Sequence, residues 1–134
     1  MDIKVLKVGI VSCSGEALPE GTVSRVACRK VLDELRPGQT VTICLPLFIA
    51  GGKEEREFAN KFPTVTVDGC EKMCAAKSTE RLSGKPARSL MIRDILKKHH
   101  IAGLKQCRGL GPAEKIASDA VAEEVAKAVD EVLE

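Results

Sequence analysis

The sequence has no tryptophan, no tyrosine and only three phenylalanines, so its core must be built from Val, Ile, Leu and Ala. The same lack removes the aromatic platforms on which proteins stack unpaired bases. Net charge is scarce as well: 21 basic against 19 acidic residues leave +2, too weak a field to hold DNA, RNA or an anionic lipid surface. No run approaches the ~18 consecutive apolar residues of a membrane span. Met1 to Lys7 lead straight into a strand, without the apolar region and cleavage site of a secretory signal. Together these absences predict a soluble cytoplasmic protein that engages neither nucleic acid nor membrane, and they name no protein partner. No repeat, linker or low-complexity tract divides the 134 residues, which suit one domain, 1–134, that folds without a stapling metal.

What the chain does have is six cysteines. In a reducing compartment they read as thiols, metal ligands or redox groups rather than as a disulfide framework. Four of them fall where apolar β-like runs end: Cys13 after the run to Val11, Cys44 within 40–45, then Cys70 and Cys74 in Asp68-Gly69-Cys70-Glu71-Lys72-Met73-Cys74. If those runs are parallel neighbours, their ends share one edge of a sheet, and thiols from three distant segments meet there.

The pattern supports that arrangement. Val8-Gly9-Ile10-Val11 is a continuous apolar run opening into Ser12-Cys13-Ser14-Gly15, which predicts a strand over 4–12 buried on both faces. Thr22 is a good N-cap for a helix to about residue 36, with Val23, Ala27, Val31 and Leu35 on one side and Pro37-Gly38 as its stop. The β-branched segment 40–45 predicts a second strand closed by Pro46, followed by a loop over 47–52 and a short charged helix over 53–61. Residues 64–67 predict a third strand, 71–81 a helix, and 89–92 a fourth strand. From Pro112, placed as a first helical residue, a long helix runs to the terminus with Ala117, Val121, Val125, Val129 and Leu133 on one stripe. Alternating strands and helices imply right-handed βαβ crossovers, so the expected fold is α/β. It is a three-layer sandwich whose mostly parallel four-stranded sheet has the order 2-1-3-4, with helices on both faces.

On this layout Cys13 and Cys70 end adjacent strands, and Cys44 lies on the other side of strand one. Cys70 and Cys74, three residues apart in between, fit the spacing of paired zinc ligands, and on a first helical turn they would face the same way. Lys72 and Lys77 nearby would offset the negative charge of a four-thiolate site. Buried cysteine is common, so Cys13 and Cys44 alone would be equally well read as packing groups; the Cys70/Cys74 pair tips the balance towards a thiolate site. Cys28, beside Val31, Leu32 and Leu35, reads as a core thiol. Cys107, between Lys105 and Arg108, is a secondary candidate on a loop able to fold over the pocket. His99-His100 after Lys97-Lys98 read as a solvated helix end rather than ligands. Gly51-Gly52 matches no phosphate-binding loop. No arginine stands six positions after Cys13, Cys44 or Cys70, as phosphatase-like chemistry requires, and no serine hydrolase elbow is present.

Several segments resemble the DGC-domain family, small prokaryotic proteins named for their Asp-Gly-Cys motif and suggested to bind zinc. They are Cys13-Ser14-Gly15, Gly21-Thr22-Val23-Ser24-Arg25, Cys44-Leu45-Pro46, Phe62-Pro63-Thr64, and Asp68-Gly69-Cys70 through Cys74-Ala75-Ala76-Lys77. They span about the first two-thirds of the chain; from Arg81 onward the likeness is loose, through Asp94-Ile95-Leu96-Lys97 and the final helix. The resemblance implies metal binding without a settled reaction, and it carries the family's suggested zinc ligands onto Cys13, Cys44, Cys70 and Cys74. Asp68 would orient a ligand or, more simply, accept backbone N–H bonds in its turn.

The expected function is therefore a metal-binding protein holding Zn2+ through Cys13, Cys44, Cys70 and Cys74, in a structural, regulatory or metal-transfer role. A closed four-thiolate site leaves no position for an activated water, whereas three thiolates would open one. The rivals are a thiol redox or sulfur-carrier protein using Cys70 and Cys74, and an iron–sulfur protein. Whether the chain is an enzyme stays open at this point.

Overall fold

The computed structural model describes residues 6–134, so residues 4 and 5 of the expected first strand lie outside the described residues. The strand itself, β1, runs Val8–Ser12, beginning where the side chains become fully buried. It is followed by α1 (Pro19–Lys30), whose end widens into a π turn over Val31–Leu35, and by β2 (Thr40–Thr42). Three single turns come next, α2 (Leu47–Ala50), α3 (Lys53–Arg56) and α4 (Phe58–Lys61). The chain then forms β3 (Thr64–Asp68), α5 (Cys74–Leu82), β4 (Arg88–Met91), α6 (Ile92–Lys98) and α7 (Pro112–Leu133).

All strand pairs are parallel, in the order β2-β1-β3-β4, as the alternation of elements predicts. Ser12 stands opposite Val67 and Asp68 opposite Met91, so the carboxyl ends of the three strands β1, β3 and β4 share one edge. Side chains alternate across the sheet. Val8, Ile10, Val65 and Val67 join α1, α6 and α7 in one core, while Val11 meets Phe48, Phe58 and Ala75 of α2, α4 and α5 in a second. These are the helical layers on the two faces. Each fully buried Val or Ile contributes roughly 1.5–3 kcal/mol by leaving water, so a core almost free of aromatics is adequate here.

Several boundaries differ from expectation, each for a local reason. Helix α1 starts at Pro19 rather than after Thr22, because proline's fixed φ suits a first helical position; Leu18 before it is extended and offers no side-chain cap. Thr22 is thus inside the helix, and its hydroxyl donates to the Cys107 carbonyl. Strand β2 stops at Thr42, short of residue 45. The expected loop 47–52 contains the turn α2, and the expected helix 53–61 breaks at Glu57 into α3 and α4. Ile92, expected in the fourth strand, opens α6. Pro112 begins α7 as predicted, with Ala117, Val121, Val125 and Val129 fully buried and Leu133 only partly so. No helix among the described residues is long and apolar enough to cross a membrane.

Two ion pairs fasten α7 to the first helix and its π turn: Lys30 to Asp119 at 2.9 Å and Arg36 to Asp130 at 2.7 Å. The hydrogen bonds from Lys30 and Arg36 hold both carboxyls below their ordinary range. A carboxyl whose folded pKa is lowered contributes stability above its unfolded pKa and loses it as pH falls through the folded value. The double variant Asp119→Asn/Asp130→Asn is therefore expected to flatten the acid limb of stability, read by denaturant unfolding between about pH 5 and 2. An unchanged limb would mean that these partly exposed pairs contribute nothing.

Candidate functional site

From β1 the chain crosses to β2 on one side, and then to β3 on the other, which makes the β1/β3 edge the switch point where α/β sheets open a ligand crevice. Cys13 directly follows β1, Cys70 lies two residues past β3, and Cys74 opens α5. All three line one cavity of about 170 Å³, with Ala17, Leu18 and Met73 as its apolar wall. Three of the four expected cysteines thus border one cavity at the strand ends.

Close backbone approach holds the cavity together. A Cβ on Gly69 would lie 3.1 Å from the Glu20 carbonyl carbon and 3.2 Å from Gly21 N, so the glycine of Asp-Gly-Cys lets the β3–α5 loop rest on the first turn of α1. Gly21 is tighter still: a Cβ there would overlap the Gly15 carbonyl oxygen and lie 2.5 Å from its carbon. Cys13 is held by both neighbours. Its Sγ accepts the Gly69 N–H at 3.3 Å and lies 3.5 Å from Ser24 Oγ. Ser24 donates its own proton to the Gly21 carbonyl at 2.6 Å and accepts the Ser14 N–H at 3.1 Å, so it is the thiol proton that points to Ser24.

Both thiol loops turn through left-handed backbone. Ser14, after Cys13, has φ 50°, and Met73, before Cys74, has φ 52°. Each such residue costs roughly 1–2 kcal/mol outside glycine, a strain that clusters at functional sites. The Met73 turn also corrects one expectation: α5 begins at Cys74, so Cys70 and Cys74 do not share a helical turn. Asp68 is the reason. Its buried carboxylate accepts the N–H groups of Ala75 at 2.6 Å and Ala76 at 3.0 Å, fixing the start of α5 from the end of β3. Burial pushes the Asp68 pKa up, and the two N–H bonds and Lys77 pull it back only in part. The turn role expected for Asp68 is the one it has.

Cys44 stands apart. It is exposed past the end of β2 and lines a second cavity on the other side of β1, together with Cys28. Cys28 is 4% exposed, and burial, with Cys13 nearby, pushes its thiol pKa far up, as suits a core thiol. The Cys107 loop does fold towards the thiol site, its Sγ 3.8 Å from the Ala17 carbonyl, but Cys107 is not in the cavity wall. His99 ends α6 and meets Glu124 of α7 at 3.1 Å, away from the thiols. Among the described residues no three His, Cys, Asp or Glu side chains are gathered closely enough to form a metal-binding group.

Sequence reasoning missed Arg93. It bonds Glu71 of the thiol loop at 2.7 Å and lies 3.7 Å from Glu20 of α1. The Glu71 hydrogen bond holds its proton more tightly than usual, and Glu20 and Cys70 nearby add to this. It thereby ties three elements together and sets a cation beside Cys70. The available signal was positional: Arg93 follows β4, at the same edge as the cysteines.

An all-parallel, doubly wound α/β domain with three free thiols from two loops at its switch point is an α/β protein with a thiol site at its ligand edge. The chain belongs to the DGC domain family, whose family model matches residues 9–132. The match continues through the final helix, well beyond the two-thirds that the motifs cover. No curated protein and no solved structure matches the chain.

Proposed function

We propose that this DGC-domain protein binds Zn2+ through the thiolates of Cys13, Cys70 and Cys74, with Cys44 as the fourth ligand, in the cytoplasm. The observation that carries this reading is the shared cavity: three soft donors from two loops distant in sequence, after β1 and after β3, line one crevice at the switch point. The donor set fits zinc, while the spacing is wider than ligation needs, so binding would draw the thiol loops together. The exposed Cys44, beyond the short β2, is the ligand that has furthest to come. A centre that closes only when the ion draws its loops together suits regulation or metal transfer better than a purely structural role. The bound ion would supply a soft Lewis-acid centre; Gly69 N–H and Ser24 orient Cys13, and Arg93 offsets charge beside Cys70.

One observation favours a second reading, thiol redox or sulfur carriage on Cys70 and Cys74: the thiols line the cavity without converging. Elemental analysis of protein purified without oxygen or added metal separates the two. The metal reading expects about one zinc per chain and about four thiols that become reactive on chelation. Cys70→Ser is then expected to cut zinc to below about a tenth per chain, and Cys44→Ser to weaken affinity about a hundredfold with less effect on the thiol loops. Full occupancy in Cys70→Ser would falsify the centre. No metal in the parent protein, with one fast-reacting thiol, would move the assignment to thiol chemistry.

A further inference from the structure

The second cavity, about 520 Å³, opens at the carboxyl ends of β1 and β2. Ser12 and Ser14 line it, whereas Cys13 between them lines the thiol cavity, so the two crevices share a backbone wall. Arg25 and Arg29, four residues apart on α1, lie on one face of that helix and both border the cavity. No carboxylate lines it. Arg25 forms no ion pair among the described residues, and Arg29 has only a loose 3.8 Å pair with Asp33, both side chains more than 60% exposed. The hydroxyls of Ser12 and Ser14 are 2.7 Å apart, which uses one of their two protons and leaves the other to donate. The Thr42 hydroxyl donates to the Ile10 carbonyl and adds no donor. Leu32, Ile43 and Leu45 form the apolar part of the wall, and Cys28 and Cys44 complete it.

We infer that this cavity binds a small organic anion, its phosphate or carboxylate group on Arg25 and Arg29 and its apolar body against Leu32, Ile43 and Leu45. Two guanidinium forks, one without an ion pair among the described residues and one held only by a loose, exposed pair, with a hydroxyl donor beside them, are the recognition chemistry of such a group. The volume lies within the roughly 300–1,000 Å³ of small-ligand pockets. Its anion contacts use none of the proposed zinc ligands, and Cys44 contributes only to its wall, so titration of the chelator-treated chain tests this site apart from the metal reading.

The test is an NMR titration of the full-length 15N-labelled chain with inorganic phosphate and, in parallel, butyrate, each against sodium chloride at matched ionic strength. Saturable amide shifts at Ser12, Ser14, Arg25 and Thr42 in the millimolar range support the site, and whichever probe binds more tightly identifies the head group. Arg25→Gln and Arg29→Gln are expected to weaken that binding about tenfold each. Both arginines are exposed, and unchanged circular dichroism would confirm that the variants fold. Shifts that never saturate, that chloride reproduces, or that survive both substitutions would overturn the assignment.

Discussion

Gly21→Ala is expected to lose about 3 kcal/mol or more of stability, a large share of the roughly 5–15 kcal/mol that holds a domain folded. The new methyl group would meet the backbone of Gly15, at 2.5 Å from its carbonyl carbon and 2.7 Å from its Cα, so no side-chain rotation relieves the contact. Either the Cys13 loop moves off α1 or the first turn of α1 unwinds. Urea unfolding measures the loss, and hydrogen exchange at Gly69 N–H shows whether its bond to Cys13 goes first. A loss below about 1 kcal/mol would mean that the Gly15 loop yields freely and that its contact with α1 does not hold the thiol cavity. Because zinc would bind the folded state alone, saturating metal is expected to recover part of the loss, by about 2.7 kcal/mol at a hundredfold excess over Kd.

Asp68→Ala is expected to cost about 2–4 kcal/mol at neutral pH, since it leaves the Ala75 and Ala76 N–H groups without their acceptor where little water reaches. Asp68→Asn keeps one acceptor oxygen and should cost less. The pair also yields a pH signature. The Asp68 pKa is raised, so the folded state binds a proton more tightly than the unfolded state. The stability of the parent relative to Asp68→Asn must therefore fall as pH rises from the ordinary carboxylate range through the folded pKa, and level off above it. Urea midpoints of both proteins across about pH 4 to 7.5 measure this difference. A difference that grows with pH over that interval would show that the two N–H bonds outweigh burial.

The sheet was legible because its signals were redundant. Apolar runs buried on both faces, each followed by a helical segment, leave few topologies once right-handed crossovers are required, and the order β2-β1-β3-β4 is one of those. The end of β1 at Cys13 and the stripe of α7 were equally plain. What could not be read were effects of distant residues on local starts and stops. Asp68 decides where α5 begins from seven residues away, which is why Cys70 and Cys74 do not share a helical turn. Thr22 looked like a cap, yet Pro19 had already begun the helix, and Gly21, normally a helix breaker, was needed for the approach of Gly15. Cys44 was placed on the correct side of β1, but its separate cavity depends on β2 ending two residues before it. Arg93 had no motif at all; only tertiary structure brings it to Glu71 and Cys70.

Helix α7 carries Ala117, Val121, Val125 and Val129 into the same core as Val8 and Ile10, and it follows every other element in the chain. During synthesis, Cys13, Cys70 and Cys74 therefore leave the ribosome several seconds before the segment that completes the larger core. The thiol crevice contains no residue of α7, so the walls that hold the thiols emerge before the helix that shields the opposite core of the same sheet.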